Sequence, residues 1–272
     1  MLLAIDVGNT HTTAGLFSER QLLHTFRFET RPSRTTDEHA VLLQQLLELR
    51  GLSARTVSEA ILASVVPPVT EVLLEAVRLA FGCEALVVGP GIRTGISVVS
   101  QSSREVGADR IVNAVAVHDL VSPEHGAIVV DFGTATTFDC VSPKGEFLGG
   151  AIVPGVQVSL DALVSHAAKL QPVEIVAPPS VLGRNTSHAI QSGVVYGHAS
   201  LVDGLVEKLK RELPFACSVI ATGGLGQVIA EHVRCFDRVE PDLTLRGLRL
   251  LHERNRPRKS PASQRPERER AP

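Results

Sequence analysis

Apolar and polar positions along the chain alternate between two periods. Leu2 to Asp6 is a short apolar run ending in an acid and a Gly8-Asn9-Thr10 turn; Thr12 to Phe17 and Leu22 to Phe28 follow, with Ser18-Glu19-Arg20 between them. The spacing predicts a three-strand meander. The period then becomes helical: Thr36 or Asp37 caps an amphipathic stretch to Leu49, and Gly51 stops it. Glu59 to Val65 predicts a strand, Val69 to Phe81 a helix ended by Gly82, and Leu86 to Val88 another strand. Strand, helix, strand, helix predicts a sheet with helices packed on it.

At Ala127 the opening pattern returns. Asp6-Val7-Gly8-Asn9-Thr10 and Asp131-Phe132-Gly133-Thr134-Ala135 align at a constant offset of 125, and that register persists without a gap to Leu23 and Leu148. Each copy reads as strand, D-x-G turn, strand, turn, strand, the signature of an internal duplication. After the second copy come a helix from Gly155 to Ala168, a proline-rich loop from Pro172 to Pro179, a long helix from Asn185-Thr186 toward Leu213, a strand at Ser218 to Ala221 and a last helix from Leu243 to Glu253.

Composition narrows the function class. The 272 residues are 44% hydrophobic and 21% charged, ordinary for a globular chain. No apolar run approaches the ~20 residues of a membrane span. The N-terminus has no basic segment before its apolar run, so no signal peptide and a cytoplasmic location are expected. Cys83, Cys140, Cys217 and Cys235 show no C-x-x-C or zinc spacing and read as buried thiols. The net charge of −2 is uneven: residues 254 to 272 hold seven Lys or Arg against two Glu, leaving −7 on the rest. That remainder repels polyanions, and a Pro- and Arg-rich tail without aromatics reads as a solvated, disordered end rather than a nucleic-acid arm.

The D-x-G turns carry the first candidate chemistry. Glycine lets the backbone approach a ligand closely, and successive N–H groups can point at a phosphate. A carboxylate beside bound phosphates needs a cation between them, which makes Asp6 and Asp131 candidate cation contacts. One turn alone reads more simply as a hairpin held by an Asx bond, and the duplication reverses that reading. Gly107-Ala108-Asp109-Arg110 opens a helix, where Asp109 is either a dipole-complementing acid or a base with a guanidinium beside it for an anionic substrate. Thr222-Gly223-Gly224 follows a strand and suits close ligand approach, and Thr186 reads as a helix N-cap. No G-x-x-x-x-G-K-[ST] or strand-linked G-x-G-x-x-G occurs, and no histidine pair has H-E-x-x-H spacing.

In order, D-V-G-N-T, G-A-D-R, D-F-G-T-A-T-T-F-D, G-G-A-I-V-P-G-V, G-R-N-T and T-G-G resemble the type III pantothenate kinases over about residues 1 to 253. That family belongs to the superfamily of acetate and sugar kinases, heat-shock chaperone ATPases and actin. The resemblance implies an α/β fold of two duplicated actin-like (ribonuclease H-like) domains, each a mixed sheet with flanking helices: residues 1–118, then 119–253, then a tail at 254–272. It implies phosphorylation of pantothenate by ATP, with magnesium and a monovalent cation, potassium or ammonium, in a homodimer. Residue by residue it implies that Asp6, Val7, Gly8, Asn9, Thr10, His11, Thr12 and Thr13 form the first ATP phosphate loop, with Asp6 acting on magnesium. Thr134, Gly223 and Gly224 would contact ATP, and Asp131 the monovalent cation. Asp109 would be the general base, and Ser100, Gly107, Ala108, Arg110 and Thr186 would line the pantothenate site. Ser100 and Ser103 stand where many relatives carry an aromatic residue and a proline, so the pocket wall is expected to differ. The competing expectation is a non-catalytic relative like the accessory transcription factors on this fold; a regulator need not keep Asp6, Asp109 and Asp131, all present here.

Overall fold

The computed structural model describes residues 1–99, 106–224 and 226–256. Ser100, Ser103 and the tail beyond Arg256 lie outside the described residues. In the first half the chain forms β1 (Leu2–Val7), β2 (His11–Ser18), β3 (Gln21–Glu29), α1 (Thr36–Glu48), β4 (Glu59–Ser64), α2 (Pro67–Phe81) and β5 (Ala85–Val87). Next come β6 (Ser97–Val98), α3 (Ala108–Leu120), β7 (Gly126–Phe132), β8 (Ala135–Val141), β9 (Glu146–Pro154), α4 (Val156–His166) and α5 (Thr186–Glu212). The chain ends with β10 (Cys217–Thr222), α6 (Gly226–Ala230), β11 (Arg238–Val239) and α7 (Leu243–Asn255).

The first sheet has the order β3-β2-β1-β4-β5, and the second repeats it as β9-β8-β7-β10-β11 with β6 added beside β9. In both, the meander pairs are antiparallel and the later strands parallel. Alternation along β1 sorts its side chains between two cores. Leu3, Ile5 and Val7 pack outward with α1 and α2, while Leu2 and Ala4 pack inward. In β7, Ile128, Val130 and Phe132 face α4, α5 and α6, while Ala127 and Val129 face inward. The inward faces share one core with α3 and α7, so those two helices lie between the sheets. This is the duplicated ribonuclease H-like architecture, each mixed sheet flanked by helices.

Two helix starts differ from expectation. A capping box closed by Thr35 and Glu38 opens α1, one residue before Thr36, because Glu38 reaches back to the Thr35 N–H at 2.7 Å. Asn185, whose side chain accepts from the His188 N–H at 2.8 Å, caps α5; Thr186 is the first helical residue, not the cap.

The duplication is real, but its offset is not constant. Asp6 pairs with Thr13, whereas Asp131 pairs with Thr137, so the second D-x-G turn is one residue shorter. The following hairpin is one residue longer, and both copies keep a bulge at the same place, between Leu16 and Phe17 and between Cys140 and Val141. The first and third strands therefore match at 125 and the middle one at 124. Loops absorb a residue where strands cannot, since a one-residue slip would turn a buried face to solvent. Of the four free thiols expected to be buried, only Cys140 is; Cys83, Cys217 and Cys235 are half-buried. No described helix is long and apolar enough to cross a membrane.

Candidate active site

Since Leu2 and Ala4 face the layer between the sheets, the pleat turns Asp6 the same way, and Asp131 follows Ala127 and Val129 on β7. Each acid stands one residue before the end of its strand, at the lip of a D-x-G turn. Hydrogen bonds from Gly8 N–H to the His11 carbonyl (3.1 Å) and from Gly133 N–H to the Ala135 carbonyl (3.0 Å) close the turns. The turns meet: the Thr10 and Thr134 hydroxyls lie 2.9 Å apart. By the strand registers these threonines are equivalent positions of the two copies.

Helix α3 starts beside them and carries three polar groups on neighbouring positions. The Asp109 carboxylate folds back over Gly107, where any side chain would displace it. Arg110 donates from Nε to Asp139 Oδ1 at 2.7 Å and from Nη2 to the same oxygen, and its guanidinium lies over the Phe147 ring, 5.3 Å from the centroid. Asn113 Nδ2 donates to Asp131 Oδ2 at 2.9 Å, and the Thr244 hydroxyl on α7 donates to Asn113 Oδ1 at 2.8 Å. The second half thus grips the first two turns of α3 at two points.

Four carboxylates share this space with one guanidinium. Burial, then the charges of Asp109 and Asp131, pushes Asp6 up to about 8. Burial raises Asp131 to about 6, with Asp109 adding to it and the Asn113 amide opposing. Asp139 also rises to about 6 by burial, held back by Arg110. Burial raises Asp109 as well, against the N–H and charge of Arg110. Burial and mutual repulsion thus favour the neutral acids here, and a cation placed among them would reverse that.

Thr222-Gly223-Gly224 completes the rim. Gly223 sits at φ +96°, and a Cβ there would lie 2.6 Å from Asp131 Oδ1 and from the Phe132 backbone, so only glycine fits. Across the rim, Arg27 on β3 donates from Nη2 to His11 Nδ1 at 3.1 Å and lies against Gly224.

The structure therefore brings Asp6, Thr10, His11, Asp109, Arg110, Thr134, Asp131, Gly223 and Gly224 to one region. It does not bring Thr186 there. Thr186 lines a separate apolar groove of about 530 Å³ between α4 and α5, with Val156, Leu163, Ile190 and His198. Arg110, read from sequence as a guanidinium for an anionic substrate, is already engaged by Asp139, a partner 29 residues away that sequence spacing did not reveal. Asn113 carried a usable signal, four residues after Asp109 on a helix. Thr244 and Arg27 carried none.

The model of type III pantothenate kinases matches residues 2–208. The chain is 52% identical over 256 residues to a type III pantothenate kinase of Anaeromyxobacter sp. (strain Fw109-5), covering 94% of this chain and 100% of that one. It is 48% identical over 255 residues to the Moorella thermoacetica protein of the same name, covering 94% and 100%. A solved Campylobacter jejuni structure named for the Baf family of transcriptional activators shares the fold, with TM-score 0.57 and 21% identity over 93% of this chain and 98% of that one. That likeness speaks only to architecture, whereas half-identity along nearly the whole length speaks to descent, and the chain belongs to the type III pantothenate kinase family.

Proposed function

We propose that the protein transfers the γ-phosphoryl group of ATP to the primary hydroxyl of pantothenate, giving phosphopantothenate and ADP, the first committed step toward coenzyme A. Family membership supports the substrates. The observation that carries the chemistry is the meeting of the two D-x-G turns through Thr10 and Thr134, with Asp109 at the head of a helix beside them.

In this reading the Asp6 to Thr13 turn and Thr134 hold the phosphates through N–H and hydroxyl groups, except the Thr12 hydroxyl, which is buried and bonded to Thr30, and the Gly8 N–H, which closes the turn; Gly223 and Gly224 lie along the nucleoside. Asp109 takes the proton from the pantothenate hydroxyl; its oxygen bonds to the γ-phosphorus as the bond to the bridging oxygen breaks, and ADP leaves with the electron pair. A base raised toward neutrality is better matched to that transfer than an ordinary aspartate. Arg110, braced by Asp139, keeps Nη1 for the pantothenate carboxylate. Such transfer rests mainly on alignment and charge neutralisation.

The donor set fits the expected cations. Among the described residues no group of three or more His, Cys, Asp or Glu is arranged to hold a metal by itself. Magnesium needs no such cage, since it takes one or two carboxylates and completes its shell with substrate phosphate and water. Asp6, desolvated and without a cationic partner among the described residues, would hold magnesium, and Asp131, with Oδ2 held by Asn113 and Oδ1 without a hydrogen bond from the described residues, would hold potassium or ammonium. When bound, these ions neutralise charge on the phosphates. A homodimer through the α4 and α5 groove would cover its apolar lining and bring Thr186 to a partner's site.

The test is ADP release with pantothenate and magnesium-ATP, in potassium and again in sodium, with sedimentation of the same sample. Pantothenate-dependent, potassium-stimulated turnover by a dimer is expected. A folded protein without turnover in either salt would sink the reading.

A further inference from the structure

Arg27 has an unusual position for an exposed residue. On β1, β2 and β3 the register row runs Asp6, Thr13, Arg27. Paired residues of neighbouring strands point to the same face, and Phe26 and Phe28 pack on the outer core, so Arg27 faces the cleft, two strand spacings or about 10 Å from Asp6. Its guanidinium bridges the two halves: Nη2 donates to His11 Nδ1 in the first turn, and the rest lies against Gly224 in the second half. Arginine only donates, so His11 accepts through Nδ1 and keeps its proton on Nε2. Arg27 makes no ion pair among the described residues, whereas Arg110 is engaged by Asp139. Nor does the fold require an arginine here. By the strand registers its counterpart in the second copy is Ile152, likewise across from a threonine, Thr137.

Resting on the reading of this cleft as a kinase site, we infer that Arg27 is a phosphate clamp: it spans the cleft mouth and grips the phosphate chain of the nucleotide between His11 and Gly224. A planar guanidinium suits the task, because its fork matches two phosphate oxygens at once. A Cβ at Gly224 would meet the guanidinium, so a side chain there would push Arg27 from its place.

The test compares ATP and adenosine binding by calorimetry in wild type, Arg27→Gln and Arg27→Lys, with kinetics on each. Arg27→Gln should weaken ATP at least tenfold and raise its KM similarly, while adenosine affinity and the KM for pantothenate stay within twofold. Arg27→Lys should fall between, having charge but no fork. Equal loss for adenosine and ATP would mean Arg27 merely shapes the cleft, and unchanged ATP binding would mean it touches no phosphate; either overturns the clamp. Wild-type protein that binds ATP but ignores pantothenate would overturn the kinase reading and leave the clamp standing.

Discussion

The hydroxyls of Thr10 and Thr134 hydrogen-bond at 2.9 Å, joining equivalent turns of the two halves at one point. If the bond sets how closely the turns approach, removing either hydroxyl loses the same thing. Thr10→Val and Thr134→Val should each lower kcat/KM for ATP about 5- to 10-fold, a hydrogen bond of roughly 1 kcal/mol. The double variant should be little worse than either single, and full additivity in the cycle would show that the hydroxyls act independently.

Asp109→Asn keeps the shape of the helix start and removes the proton acceptor. Turnover should fall by about 10²- to 10⁴-fold while ATP affinity is retained, as read by kinetics and calorimetry. Simultaneous loss of ATP binding would make Asp109 a structural acid.

Arg110 and Asp139 form an ion pair in which Asp139 is wholly buried and the Arg110 side chain is 17% exposed. Arg110→Met leaves that carboxylate without its partner and should cost about 3–5 kcal/mol of stability. Arg110→Met with Asp139→Leu should recover most of the loss in denaturant melts yet remain catalytically poor. Recovery of turnover along with stability would remove Arg110 from the substrate site.

His39 is fully buried on α1, neither ring nitrogen has a hydrogen-bond partner among the described residues, and burial lowers it to about 4, with Arg34 adding to the shift. The unfolded chain takes up a proton below about 6.5 while the folded one resists until about 4. The His39 contribution to stability is therefore full above 6.5 and falls through that window as pH drops, by up to about 3 kcal/mol. The raised carboxylates Asp6, Asp131 and Asp139 act in the opposite sense over the same range, so the readout is a difference: in thermal melts from pH 7 to 4.5, wild type should lose stability relative to His39→Leu. A constant difference between the two across that range would remove His39 from the pH dependence.

The first residues of the C-terminal tail are tied to the body of the protein. Arg254 donates to the Thr94 carbonyl, Asn255 bonds both the N–H and the carbonyl of Arg93, and Arg256 pairs with Glu59. Truncation after Arg256 should leave melting temperature and turnover near wild type. Truncation after Glu253 removes the clasp on residues 93 to 95 and should lower both; equal behaviour of the two would make the clasp inconsequential.

The meander, the duplication and most helices were legible in the sequence because period-2 and period-3.6 patterns are local. The Asp6 and Asp131 turns were legible for the same reason, being short motifs at strand ends. What escaped depended on distance. The Asp139 partner of Arg110 and the Thr244 support of Asn113 arise only once the sheets enclose α3, and nothing near Arg27 announces that β3 carries it to Gly224. The one-residue slip between the copies escaped because a shorter turn and a longer hairpin cancel, so an ungapped comparison still aligns the strands on either side.

That slip has a consequence for how the cleft is used. In the proposed kinase site, a groove formed by two identical copies would look the same from either end, and a triphosphate could thread it in two senses, only one of which presents the terminal phosphorus to Asp109. The extra residue in the first turn, and the change from Arg27 to Ile152 between copies, make the two entrances chemically different. On that proposal, duplication supplied two grips and divergence gave the groove a direction.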